Sequence, residues 1–272
     1  MKKILIISNE FGFTQSVVRF ALAAARADGS LLHSIFLQPL RKAEEVGYLF
    51  PNDYRLTGQN LTGDTYQQED QRIIASNLQY FKNECDAAGI AYSIDTERET
   101  NLKELFELTW FADLVVVDAD AELGPYRLEE LLAGSHCPVC VVPSRAEEVE
   151  QLVLCYDGSE HALYALKLFS YLLPQWSGKP STLITVNNNP VAASEEEAIQ
   201  SWLQQHFPGA QREVLPGGDP SREIVRFTQR WGGKALVVLG AYSRGAVSRL
   251  LHRSTADALL EATAATLFIA HR

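Results

Sequence analysis

The chain has 272 residues, 46% of them hydrophobic and 21% charged, with a formal net charge of −10. That apolar fraction excludes disorder as the main state and suffices for one large core or two ordinary ones, since domains cluster near ~100–150 residues. No apolar run approaches the ~18 residues of a membrane span, and the acidic balance argues against general binding to DNA or RNA, whose phosphates it would repel.

The opening Met1-Lys2-Lys3-Ile4-Leu5-Ile6-Ile7 is basic and then apolar, but the apolar part ends at Ser8-Asn9-Glu10. It reads as a strand, Lys3–Ser8, and not as a signal peptide. A helix follows over Thr14–Ala27, with Thr14 as its cap and an apolar stripe through Val17, Val18, Phe20, Ala21, Leu22 and Ala24. A strand at Leu31–Leu37 leads into Gln38–Tyr66, a polar stretch with Tyr48, Phe50, Tyr54 and Tyr66 interleaved. Loops of this length are usually functional or disordered; this one fits either a loop packed on its own aromatics or a lid or partner surface near the carboxyl end of the second strand. Then come a helix (Gln67–Ala88), a strand (Ile90–Asp95), a helix (Leu102–Phe111), a strand (Asp113–Val117), a short helix (Leu128–Ala133) and a strand (Val139–Val142).

The second half repeats this order. Strands are expected at Leu152–Tyr156, Ser181–Val186, Arg212–Leu215, Lys234–Leu239 and Thr266–Ala270. Helices are expected at Ser159–Leu173, Glu195–His206, Pro220–Trp231 (capped by Asp219) and Thr255–Ala262. Mostly apolar strands alternating with helices indicate parallel sheets covered on both faces. The expected fold class is therefore α/β, with two five-stranded domains over residues 1–144 and 151–272, joined by the polar segment Ser144–Glu150.

The repeat is imperfect in an informative place. Val117 and Leu239 end equivalent strands, whereas Val139 and Leu267 open equivalent last strands, so the first copy is shorter between strands four and five. In open α/β sheets ligands sit beyond the carboxyl ends of strands, where this segment lies. In the second copy it runs from Gly240 through Ser243, Arg244, Gly245, Arg249, His252, Arg253 and Ser254 to Thr255, basic and without an acid. Small residues and a helix start make a cradle for phosphate, although Gly240 and Gly245 equally fit a plain turn with solvated arginines. The matching first-copy segment holds Asp118, Asp120, Glu122, Glu129 and Glu130 against one arginine, and would repel a phosphate. Residues 1–145 carry 13 Lys and Arg against 21 Asp and Glu, and residues 146–272 carry 11 against 13, so the negative charge lies mostly in the first copy.

Val153-Leu-Cys-Tyr-Asp157-Gly158-Ser159-Glu-His-Ala162, the loop from Gly240 to Ser254 and the helix-to-strand ending of each copy together resemble a tandem universal stress protein. The first copy departs from the family's Asp-Gly-Ser turn, reading Ser8-Asn9-Glu10. In nucleotide-binding members the loop runs Gly, two residues, Gly, nine residues, Gly, then Ser or Thr; here those places hold Gly240, Ser243, Arg253 and Ser254. The resemblance implies a Rossmann-like, adenine nucleotide alpha hydrolase-like sandwich in each copy, and last strands that pair between copies as an internal pseudo-dimer. It further implies a cytoplasmic, ligand-responsive binding protein for ATP (with Mg) or AMP, with at most slow ATP hydrolysis. Asp157 and the backbone at Val186 would hold adenine and ribose. Gly240, Ser243, Ser254 and Thr255 would hold phosphates, with Arg244, Gly245 and Arg253 beside them. A scaffold that binds no nucleotide is the alternative, because Ser243 and Arg253 replace glycines.

Two further patterns compete. Ala241-Tyr-Ser243-Arg-Gly245 is close to a nucleophile elbow, and Asp257 and His271 follow in hydrolase order, but too little chain remains for a hydrolase sheet. Cys137-Pro-Val-Cys140 has redox spacing, yet it opens a strand where a reactive pair would open a helix. Four cysteines without framework spacing fit a reducing compartment, hence the cytoplasm. No metal spacing is found. Trp110 and Trp231, closing the third helix of each copy, are expected to pack.

Overall fold

Strands of Val, Ile and Leu alternate with helices in the computed structural model, which describes residues 1–9, 14–26, 29–37, 63–98, 102–120, 123, 127–186, 193–240 and 255–270, the side chains of 9, 63–71, 96–98 and 193–195 aside. The first half runs β1 (Lys3–Asn9), α1 (Gln15–Ala25), β2 (Leu31–Leu37), α2 (Gly63–Ala88), β3 (Tyr92–Arg98), α3 (Leu102–Thr109), β4 (Leu114–Asp118), α4 (Leu128–Gly134) and β5 (Val139–Val142). The second runs β6 (Gln151–Cys155), α5 (Glu160–Leu172), β7 (Ser181–Val186), α6 (Ala193–His206), β8 (Gln211–Leu215), α7 (Pro220–Thr228), β9 (Ala235–Gly240), α8 (Thr255–Ala262) and β10 (Thr266–Ala270).

The strands form one sheet in the order β3-β2-β1-β4-β5-β10-β9-β6-β7-β8. Read inward from either edge the two halves have the same order. Every ladder is parallel except the central one, where Leu267, Phe268 and Ile269 of β10 pair antiparallel with Val141, Cys140 and Val139 of β5. Strands β4, β5, β6 and β10 are buried along their whole length, which is why their sequences are apolar runs without alternation.

Successive strand residues point to opposite faces, and the core divides accordingly. Ile4, Ile6, Leu154 and Phe268 pack beneath α1 and α5 in a layer that crosses the middle of the sheet. Leu5, Ile7, Val153 and Leu267 pack on the other face with α3, α4, α7 and α8. The centre of the first layer is aromatic: Phe169 stacks on Phe207 at 6.1 Å and meets Phe268 edge-on at 5.2 Å.

Several expected boundaries move. Helix α2 starts at Gly63, not Gln67, and β3 starts at Tyr92, not Ile90. Helix α7 stops at Thr228, short of the expected Trp231, and a 3-10 turn over Gln229–Lys234 breaks at Gly232, whose φ of +54° a side chain would resist. The next residue, Gly233, is needed for a different reason: a Cβ there would stand 2.6 Å from the Arg145 carbonyl. That contact belongs to the connecting segment, which is strapped down instead of running free. Glu147 and Glu150 donate backbone N–H groups to the carbonyls of Gly233 and Lys234, and Ala146 and Val149 are buried. Of the stretch Gln38–Tyr66, residues 38–62 lie outside the described residues, including Tyr48, Phe50 and Tyr54.

Candidate functional site

The carboxyl ends of β6, β7 and β9 open onto a cavity of about 420 Å³. Cys155, Tyr156 and Asp157 line it from the end of β6, Thr185 and Val186 from β7, Leu239 and Gly240 from β9, Pro220 and Ile224 from α7, and Thr255 from the start of α8. Four of the residues expected to bind ligand, Asp157, Val186, Gly240 and Thr255, thus share one cleft. Ser243, Arg244, Gly245, Arg253 and Ser254 lie outside the described residues.

The local sequence explains the cleft's near wall. The Asp157 Oδ1 accepts the Ser159 N–H at 2.9 Å, closing a turn around Gly158, whose φ is +83°. Ser159 then caps α5, its Oγ accepting the Ala162 N–H at 3.1 Å. The Asp-Gly-Ser run is therefore a helix-starting device before it is anything else. It also brings the first turn of α5 onto β9. A Cβ at Gly240 would come within 2.6 Å of His161 backbone atoms, so this glycine is required by packing whether or not a ligand is bound.

The far wall gathers two helix starts. Asp219 caps α7, its Oδ1 accepting the Ser221 N–H at 3.0 Å. The Ser221 and Thr255 hydroxyls lie 3.1 Å apart, so α7 and α8 begin side by side at the cavity. Aligned peptide dipoles make such helix ends favourable to anions. Thr255 was expected from the sequence and Ser221 was not, because a single serine after a capping Asp-Pro carries no signal of the helix start it meets.

The equivalent place in the first half is built differently. Asp118, the last residue of β4, is 1% exposed and turned inward. Its Oδ2 accepts from the Thr14 hydroxyl at 2.5 Å, and its Oδ1 accepts the Asp120 N–H at 2.8 Å. Burial pushes this carboxyl above its ordinary value, against the lowering effect of those hydrogen bonds. Thr14 does precede α1 as expected, but its side chain serves Asp118 and Ser16 instead of capping the helix.

The environment of the cysteine pair disfavours the thiolate. Cys140 is fully buried in β5, and its thiol sits well above the ordinary value because burial disfavours the thiolate; Cys137 is pushed to about 12 for the same reason. A redox pair needs the opposite. Trp231 packs on Phe227 at 4.9 Å; Trp110, just after the end of α3, packs more loosely, meeting His136 in a T-shaped contact at 5.5 Å while staying 56% exposed. Of the hydrolase reading, Ser243 and His271 lie outside the described residues, while Asp257 lies in the first turn of α8. No helix among the described residues is long and apolar enough to cross a membrane, and no group of three or more metal-ligating side chains gathers among them.

No family model and no curated protein matches the chain's sequence. Its structure does have relatives. A universal stress protein from Archaeoglobus fulgidus DSM 4304 superposes with a TM-score of 0.70 at 14% identity, covering 100% of this chain and 96% of that one. A putative universal stress protein from Pseudomonas aeruginosa UCBPP-PA14 gives a TM-score of 0.60 at 15% identity, over 100% and 93% of the two chains. A functionally unknown protein from Pseudomonas aeruginosa PAO1 gives 0.60 at 13%, over 100% and 92%. From end to end, this chain has the fold of the universal stress proteins.

Proposed function

We propose that the chain is a cytoplasmic stress-response binding protein whose second half takes an adenine nucleotide, ATP with Mg or AMP, and which acts by ligand-dependent regulation instead of efficient catalysis. The observation that supports this most directly is the cleft that brings Asp157, Val186, Gly240 and Thr255 together. Its volume of about 420 Å³ falls in the range of small-molecule sites. The paired starts of α7 and α8 suit an anion, and the basic segment Arg244–Arg253 follows directly from the cavity's Gly240. In this reading the end of β7 receives the base, and Ser254 and Thr255 receive phosphate.

Calorimetric titration with ATP and AMP, with and without Mg, tests the proposal. Saturable heat is expected, with Thr255→Ala and Ser254→Ala each weakening affinity about tenfold, the loss expected for a charge-assisted hydrogen bond. No heat and no thermal shift at millimolar nucleotide would overturn it.

A scaffold without nucleotide is the second reading. It is favoured by the engagement of Asp157 Oδ1 with the Ser159 N–H and by Arg253 at a glycine place of the loop.

A further inference from the structure

A second cavity, also about 420 Å³, lies where the two halves meet and shares no lining residue with the cleft above. Its walls are α1 (Ser16, Arg19, Phe20, Ala23, Arg26), Glu84 of α2, the connecting segment Ala146–Val149, and Trp176 and Lys179 after α5. The floor is aromatic and fixed. Phe20 and Trp176 are 7% and 6% exposed, their ring centroids 5.1 Å apart, and Trp176 is backed by Phe169 at 6.3 Å.

The rim is basic on the side of α1. Arg19 and Arg26 are seven residues apart, two helical turns, and so share one face at a spacing of ~10 Å. Helix α1 and its C-cap contain no acid, although they belong to the half that holds most of the negative charge. Arg19 donates to the Ala146 carbonyl at 3.4 Å and its charge also acts on the Tyr80 phenol, while no hydrogen bond or ion pair of the Arg26 guanidinium occurs among the described residues. Of the three carboxylates nearby, Glu148 is taken up by Lys179 at 3.8 Å and its side chain is 91% exposed; Glu147 is exposed on the connecting segment; Glu84 is half-buried on α2. The pattern is specific to this side. Counted from the caps Thr14 and Ser159, α5 carries Tyr164 and Tyr171 where α1 carries Arg19 and Arg26.

We propose that the seam cavity binds a small anion with a flat apolar body, such as an aromatic carboxylate or phosphate monoester. The guanidiniums of Arg19 and Arg26 take the charged group through charge-assisted hydrogen bonds, and the ring lies on Phe20 and Trp176. A ligand placed there touches α1 of one half and Trp176 of the other, and so ties the halves together. The proposal is independent of nucleotide binding in the second half.

The full chain is titrated with benzoate, phenyl phosphate and the neutral benzyl alcohol while tryptophan emission is followed, with Trp176→Phe identifying the reporting residue. The expected result is a saturable change with one or both anions, lost in Trp176→Phe and absent with benzyl alcohol. Whichever anion binds more tightly assigns the charged group as carboxylate or phosphate. The Arg19→Gln/Arg26→Gln double variant, shown to keep its unliganded thermal midpoint, should bind at least about tenfold more weakly. A response equal for benzyl alcohol, an unchanged titration in the double variant, or no saturable response to either anion would overturn the proposal.

Discussion

Asp118 and Gly240 are the final residues of equivalent strands, β4 and β9, and they solve the same position in opposite ways. Gly240 has no side chain because the backbone of His161 stands where one would go. Asp118 sends a carboxylate inward to the hydroxyl of Thr14. Gly240→Ala should therefore destabilise the unliganded protein by about 1–3 kcal/mol, the usual cost of overpacking. Urea denaturation measures it, and a shift of this size without nucleotide present separates packing from any ligand role.

Asp118 makes stability depend on pH. A buried carboxyl whose folded value is raised holds its proton more firmly in the folded chain than in the unfolded one. Stability from this group is therefore greatest in acid and is lost as pH rises from the ordinary carboxylate range through the folded value. Asp118→Asn removes the titration while keeping an acceptor for Thr14 or for the Asp120 N–H. Relative to the native chain, the variant should gain stability as pH rises through that window and hold the gain at neutral pH. Denaturant midpoints of both proteins across an acid-to-neutral series check the sign.

The thiols give a third expectation. Cys85 and Cys155 are buried, like Cys140, and are pushed to about 12 by burial, so thiolate is scarce at mildly alkaline pH. A colorimetric thiol reagent at mildly alkaline pH should react slowly with the native chain, Cys137 first because it alone is incompletely buried. All four cysteines should react at once in denaturant.

Phe169 is the aromatic hub of the layer beneath α1 and α5, touching Trp176, Phe207 and Phe268. It is fully buried. Phe169→Ala should cost about 3–5 kcal/mol by the transfer and cavity contributions together. Thermal unfolding read by circular dichroism would show it as a lowered midpoint.

The succession of strands and helices along the chain and the α/β class were legible because β1, β4, β6, β9 and β10 are largely apolar runs between helical patterns. Boundaries failed where tertiary contacts outweighed local pattern. The apolar rhythm of α7 continues to Trp231, but Gly232 turns with positive φ and Gly233 tucks under the Arg145 carbonyl, a contact made by a distant segment. The start of α2 was read as loop because Gly63, Asp64 and Thr65 are turn residues by preference. That Asp157, Val186, Gly240 and Thr255 line one cleft followed from the repeat and the resemblance. The inward turn of Asp118 did not; its charge suggested a surface repelling phosphate, whereas strand alternation places it on the buried face with Val116. The seam cavity was invisible for the same reason as the Gly233 contact. It is made by α1 and Trp176, 150 residues apart in the chain and related by no motif.

The antiparallel ladder between β5 and β10 has a consequence for assembly. The strand that could have zipped one copy of this molecule to another is already spent within the chain. Among the described residues β3 and β8 are the outer borders of the sheet, and each carries charge, Asp95 in one and Arg212 with Glu213 in the other. Charged borders discourage further strands from joining. A sheet bordered in this way is not readily lengthened by a second copy.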